Sequence, residues 1–176
     1  MKPLIHFLKT ILFILLVSFS PPLHSFISQE GGFSIWMPNI PILKEIIHKS
    51  FAGNVMEKTY ISKTDSAEFI VSYSELPNIA IVMESTKALL TKAKEGFLKE
   101  NKAQELSFEK FSLAGKQGRE LSFRIVDKNN VIDAVGKARF ILVNRTMYVM
   151  VATESNYDNE NKIITEFLNS FKFLSM

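Results

Sequence analysis

The stretch LSFEKFSLAGKQGRELSFRIVDKNNVIDAVGKARFILVNRTMYVMVAT, residues 106–153, decides the fold. It reads as four consecutive antiparallel strands joined by three short turns. Asp127-Lys128-Asn129-Asn130 is a turn signal, because Asp and Asn tolerate left-handed backbone and bond their own main chain. Centring that turn on Asn129-Asn130 sets Glu120 opposite Arg139, Ser122 opposite Lys137 and Arg124 opposite Val135. Directly opposed residues share a face, so one face carries Glu120, Arg124, Lys137 and Arg139. The other carries Leu121, Phe123 and Ile125 against Ala134, Gly136, Ala138 and Phe140.

Asn144-Arg145 makes the next turn. It pairs Leu142 with Met147, Phe140 with Val149 and Ala138 with Val151 on one face. On the other it pairs Ile141 with Tyr148 and Arg139 with Met150. The far half of this hairpin is apolar on both faces, and such strands need cover on both sides. The small row Ala134, Gly136, Ala138 marks where a helix comes close to the sheet.

Outward from this meander, two amphipathic helices supply the cover. Ser85 to Asn101 carries Leu89, Leu90, Ala93 and Phe97 at helical spacing, with Ser85 as N-cap. A second helix is expected from about Tyr157 to Ser170, capped by Asn156, with the stripe Ile163, Ile164, Phe167, Leu168 and Phe171. Before the first helix, Val55 to Ser62 and Ala67 to Ser74 form a hairpin. Its turn is Lys63-Thr64-Asp65-Ser66, which pairs Tyr60 with Phe69 and Met56 with Tyr73. Gly31 to Pro38 is a short strand entered through glycines and stopped by proline. Residues 39–54 read as irregular, with one helical turn through Ile42, Leu43, Ile46 and Ile47. Strands grouped on either side of a helix give an α+β fold. The expected architecture is an antiparallel sheet of six to seven strands sandwiched by helices.

Residues 1–25 read as a signal peptide: Lys2 and Lys9, then the apolar run Ile11 to Val17, then Pro21-Pro22. Cleavage is expected to leave an N-terminus between Ser18 and Gln29. The alternative is an uncleaved anchor through Leu4 to Phe19, although the apolar run is short for a span of about 20 residues. Residues 30–176 then make a single domain. The formal net charge of +3 overstates the body's basicity, since two of the lysines lie in the leader. No basic patch accounts for a nucleic-acid partner. The absence of cysteine removes disulfides, thiol catalysis and cysteine-ligated zinc, so the domain stands on packing alone.

Three local patterns resemble a known family. They are Gly32-Phe33-Ser34-Ile35-Trp36-Met37-Pro38, then Gly115-Lys116-Gln117-Gly118-Arg119-Glu120, then Phe167-Leu168-Asn169-Ser170-Phe171. In this order they resemble the opening strand, the turn before a meander strand and the closing helix of the PsbP-like fold. That family includes Mog-type and DcrB-like proteins. The resemblance implies an antiparallel sheet between helical layers and no enzyme chemistry. It does not transfer photosystem function, since fold does not carry function.

No residue set carries catalysis or a cofactor. His48 is the only histidine outside the leader region, and one histidine makes neither a metal site nor a triad by spacing. It reads as a loop or surface residue. No serine sits in a G-x-S-x-G elbow. Gly115-x-x-Gly118-Arg119-Glu120 lacks the spacing and the Lys-Ser/Thr of a phosphate loop. It reads as a tight turn with a glycine at positive φ, followed by an Arg and a Glu on opposite faces. Lys87, Lys92, Lys94, Lys99 and Lys102, mixed with Glu84, Glu95 and Glu100, read as a solvated helix face. Asn144-Arg145-Thr146 matches a glycosylation sequon but suffices as a turn.

The candidate polar cluster is Glu120, Arg124, Lys137 and Arg139, read as the solvent side of the meander. The functional expectation is an exported, periplasmic or extracellular, non-enzymatic domain that binds protein or helps assemble envelope complexes. It needs no cofactor or metal, and it meets a membrane only through an uncleaved N-terminal segment. The alternatives are a membrane-tethered accessory subunit, and a serine hydrolase that would need His48 beside a buried serine.

Overall fold

The structure, a computed structural model, describes residues 25–50, 53–126, 129, 131–155 and 162–174. The meander forms as the sequence directs. Strands β6 (Ala103–Leu113), β7 (Lys116–Val126), β8 (Ile132–Val143) and β9 (Thr146–Glu154) run antiparallel in sequence order. Glu120 faces Arg139, Ser122 faces Lys137 and Arg124 faces Val135. Phe140 faces Val149 and Ile141 faces Tyr148. Asn144 takes a left-handed φ of 54° in its turn, and Gly115 takes 75° in the turn before β7. The turn expected at residues 127–130 falls, apart from Asn129, outside the described residues.

The chain ahead of the meander adds strands to the β9 edge. β3 (Ile42–Ser50), β4 (Gly53–Lys63) and β5 (Ala67–Glu75) precede the short helix α1 (Asn78–Met83) and the long helix α2 (Thr86–Asn101). The main sheet has the order β3-β4-β5-β9-β8-β7-β6. The β4–β5 turn centres between Asp65 and Ser66, where the Thr64 N–H donates to the Ala67 carbonyl at 2.8 Å. Tyr60 therefore faces Val71, and Phe69 faces Ser62. This is a slip of two from the expected pairing, and it leaves every side chain on its expected face.

α2 covers one face of the sheet. Its N-cap is Ser85, whose Oγ accepts from the Ala88 N–H at 3.2 Å. The helix closes at Lys102, which takes a left-handed φ of 51°. Leu89 and Leu90 bury against Leu121, Phe123, Ala138 and Phe140, and Phe97 meets the Phe123 ring edge-on at 4.9 Å. At Gly136 a Cβ would lie 2.6 Å from the Ala152 carbonyl oxygen and 2.7 Å from Phe123 Cζ. The small row thus admits an aromatic ring as well as the helix.

The opposite face is covered by two different things. One is helix α3 (Lys162–Ser170), which buries Ile164, Phe167 and Leu168. The other is a three-stranded sheet, in which β2 (Phe33–Trp36) lies between β1 (Ser25–Ser28) and β10 (Lys172–Phe173). Phe171 stacks on Phe33 at 5.3 Å. Ser170 Oγ accepts from the Trp36 N–H at 2.9 Å and donates to the Phe167 carbonyl at 2.6 Å, locking the end of α3 onto β2.

Several expectations need correction. Residues 42–50 are a strand and not an irregular segment with a helical turn, and they pair with β4 from Ile42↔Ile61 to Ser50↔Gly53. The Ile-Leu and Ile-Ile pairs, four residues apart, mimic a helix stripe, but Pro41 and Gly53 bound a strand-length run. Helix α1 lies where only the end of a hairpin was expected. The second covering layer is part sheet. Strand β1 brings residues ahead of position 30 into the fold. The expected cap at Asn156, and the leader with its alternative anchor, lie outside the described residues.

Candidate functional site

The sequence-derived polar cluster separates into two parts. Glu120 and Arg139 meet at 2.6 Å, Oε2 to Nε, and Lys137 Nζ stands 3.5 Å from the other Glu120 oxygen. A second Arg139 nitrogen donates to the Leu168 carbonyl at 2.9 Å, and its guanidinium lies 5.0 Å from the centre of the Phe111 ring. Only 13% of the Arg139 side chain and 21% of the Glu120 side chain are exposed. This part of the face is therefore not the open solvent side that was expected, because the C-terminal turn of α3 lies over it. Arg124 takes no part in the cluster. It sits half-buried nearer the sheet's other end and donates from Nε to Gln104 at 2.9 Å. The arrangement can fasten a helix end to a sheet, since a guanidinium suits the last carbonyls of a helix.

The remaining sequence candidates are placed as follows. His48 lies on strand β3, its Nε2 2.7 Å from Glu57 Oε2, and both are at the surface. Among the described residues no serine hydrogen-bonds to His48. No group of three His, Cys, Asp or Glu side chains gathers there to hold a metal. Of the Gly115–Glu120 stretch read as a tight turn, only Gly115, with Ala114 before it, is in the turn, and Lys116 onward is already β7. Arg119 faces the α2 side and Glu120 the α3 side, and a Cβ at Gly118 would strike the Phe111 ring and the Phe140 carbonyl oxygen.

A second charged group gathers at Lys58, whose ammonium reaches Glu30 at 2.6 Å and Glu45 at 3.4 Å. The hydrogen bond to Glu30 raises the Lys58 pKa above its ordinary value. The adjacent Tyr73 hydroxyl is buried and has no hydrogen-bond partner among the described residues. Burial first, then the nearby Glu30 carboxylate, push it up to about 12. Tyr148 donates to the Gly31 carbonyl at 3.0 Å and is likewise raised by burial.

The feature that sequence reasoning missed is the β3 edge. Among the described residues β3 ends the main sheet and pairs only with β4. Ile42, Leu43, Ile46 and Ile47 are all exposed on it, with Met56 exposed beside them. Glu45 and His48 are held by Lys58 and Glu57, whereas Lys44 and Lys49 form no ion pair among the described residues. The other edge is differently made. β6 is interrupted by a bulge between Glu105 and Ser107 and carries Glu105, Glu109 and Lys110. Bulges and charges are what keep a sheet edge from pairing with other chains. β3 pairs with β4 without a bulge, and its aliphatic residues line a row of backbone N–H and C=O groups that is unpaired among the described residues. The signal that would have found it is the strand-length run between Pro41 and Gly53.

No family model and no curated protein matches the sequence. Solved structures do. Cyanobacterial PsbP (CyanoP) from Synechocystis sp. PCC 6803 superposes with a TM-score of 0.60 at 12% identity, over 85% of this chain and 91% of that one. A Bacteroides thetaiotaomicron protein gives 0.46 at 12% identity, over 86% of this chain and 48% of that chain, so this chain spans about half its length. A Pseudomonas aeruginosa protein of unknown function gives 0.38 at 10% identity, over 65% and 85%. The fold is PsbP-like.

Proposed function

We propose that this chain is an exported, non-enzymatic accessory domain that binds an extended segment of another envelope protein along β3. The observation that carries the reading is the uncapped, aliphatic edge of the main sheet. An added strand gains main-chain hydrogen bonds for affinity and side-chain pockets for specificity. Lys44 and Lys49, without an ion pair among the described residues, select a segment in which acidic residues alternate with apolar ones. The leader, with its basic start and apolar centre, supports export, and removal ahead of Ser25 would leave β1 intact.

The test places a photo-crosslinking residue at Ile46, and separately at Leu106 on the opposite edge, in cells that make the full chain. Crosslinks to another envelope protein from position 46 and not from 106 are expected. Crosslinks only between copies of this chain, or equal yield from both edges, would overturn the reading. Fractionation should find the protein outside the cytoplasm, and a full-length cytoplasmic product would remove the address.

A second reading is favoured by one observation. Ser25, Phe26, Met37, Pro38 and Ile40 line a cavity of about 440 Å³ where the N-terminal segment enters the fold, and Ile40 is 94% exposed. If the N-terminal segment is retained as an anchor, this apolar corner rests on the bilayer. Retention of residues 1–24 in the membrane-bound protein, read by N-terminal sequencing, distinguishes the two.

A further inference from the structure

We infer that the groove between the start of α2 and the far ends of β6 and β7 binds a phosphate monoester. The groove encloses about 440 Å³, within the range of small-molecule sites. Lys87, Lys110 and Arg119 line it, and no acidic residue does. None of the three cations forms an ion pair among the described residues. Lys92 and Lys94, on the same helix, each hold a carboxylate, Glu84 at 2.6 Å and Glu105 at 2.8 Å.

Each cation is unfavourably placed unless an anion lies among them. Lys110 and Arg119 are directly opposed across β6 and β7, and like charges so placed repel. Lys87 sits in the first turn of α2, which contains no acidic residue. That end carries the positive pole of the helix and its unpaired N–H groups. One anion between them turns all three placements favourable. Local arrangements that break the ordinary rules concentrate at functional sites.

The chemistry points to phosphate. A monoester carries about −1.5 to −2 charges at neutral pH and three acceptor oxygens, which suits three cations. Arg119 offers a planar fork for two of those oxygens and is steadied by the Phe108 ring, 5.8 Å from its guanidinium carbon. Thr86, Ser112 and Gln117 add donors at the rim. Leu90 supplies apolar wall for the organic part of the ester. The same group occurs on soluble phosphorylated metabolites and on phosphatidic acid headgroups.

The experiment titrates the isotopically labelled protein with glycerol phosphate at constant ionic strength, against sodium chloride, and follows backbone amides by NMR. Saturable shifts at Thr86, Lys87, Gln117 and Arg119 are expected. The Lys110→Gln/Arg119→Gln variant should bind at least tenfold more weakly, on the order of one lost charge-assisted contact or more. It removes a repulsive pair, so it should fold, and Lys87→Gln provides a single-site check with weaker binding again expected. A response equal to that of chloride, or binding unchanged in both variants, would overturn the proposal. Co-sedimentation with phosphatidylcholine vesicles containing phosphatidic acid, but not phosphatidylserine, would assign the site to lipid. Saturable binding of glycerol phosphate without vesicle binding would assign it to a soluble ester. Ile46→Lys/Ile47→Lys should leave this binding intact, which separates its outcome from that of the β3 proposal.

Discussion

Arg139 shows how one side chain can serve two layers. Its guanidinium meets Glu120 within the sheet and the Leu168 carbonyl in the layer above. Replacing Arg139 alone leaves Glu120 with only the longer contact to Lys137 and strands a helix-end carbonyl, so Arg139→Gln should cost about 3 kcal/mol. Glu120→Gln together with Arg139→Gln should recover part of that loss. Their coupling, from urea melts, should be about 2 kcal/mol and survive high salt, because little water reaches the pair. A coupling below about 0.5 kcal/mol would show the pair to be open to solvent. The partners of this pair were legible in the sequence, since a turn and a two-residue period fix them. Its burial was not, because the cover comes from a helix some thirty residues downstream whose position no local pattern encodes. Phe140 was legible in full. It is 1% exposed against Phe97 and Phe108, and Phe140→Ala should cost about 3–5 kcal/mol in the same melts.

At the scale of elements, the strands with one buried and one mixed face were readable, and the strand with neither face buried was not. β3 lacks the alternation that marks a half-buried strand, since its apolar residues occur in adjacent pairs and lie exposed on both faces. Among the described residues, pairing with β4 is what holds it. Ile46→Lys with Ile47→Lys should therefore change stability by no more than about 0.5 kcal/mol, while abolishing crosslinking to a partner through this edge. A loss of several kcal/mol would mean that the edge is structural and not a docking surface. Helix α2 was readable from its stripe and its Ser85 cap, both local features. The short helix α1 has no buried residue, hence no stripe to read.

The whole molecule is a seven-stranded sheet covered on one face by α2 and on the other by α3 and a small sheet. The aromatic residues that join the small sheet to the large one include two tyrosines whose ionisation is disfavoured. Tyr73 is pushed up to about 12 and Tyr148 is raised. Both folded-state values lie above the ordinary tyrosine value near 10, so their contribution is fully present below about pH 10. As pH rises from there towards 12, the unfolded chain gives up its protons first and stability falls. Lys58, also raised, adds to the loss in the same alkaline range. Urea midpoints should therefore be lower at pH 11 than at pH 9, and Tyr73→Phe should flatten the decline. An unchanged slope in that variant would remove Tyr73 as its source.

The small sheet also has a mechanical consequence. β1 and β10 both run antiparallel to β2 and flank it, with Ser25 beside Trp36 at one end and Phe173 beside Phe33 at the other. The chain therefore leaves this sheet in opposite directions. Tension drawn between the two flanks would slide β1 and β10 along β2 and not peel them off it, so the hydrogen bonds on each side share the load at once. β10 offers two paired residues and β1 four, which makes β10 the first to give way. A domain held at one flank by a tether and pulled at the other would release its last strand, and expose Phe33 and Phe171, before the large sheet felt the force.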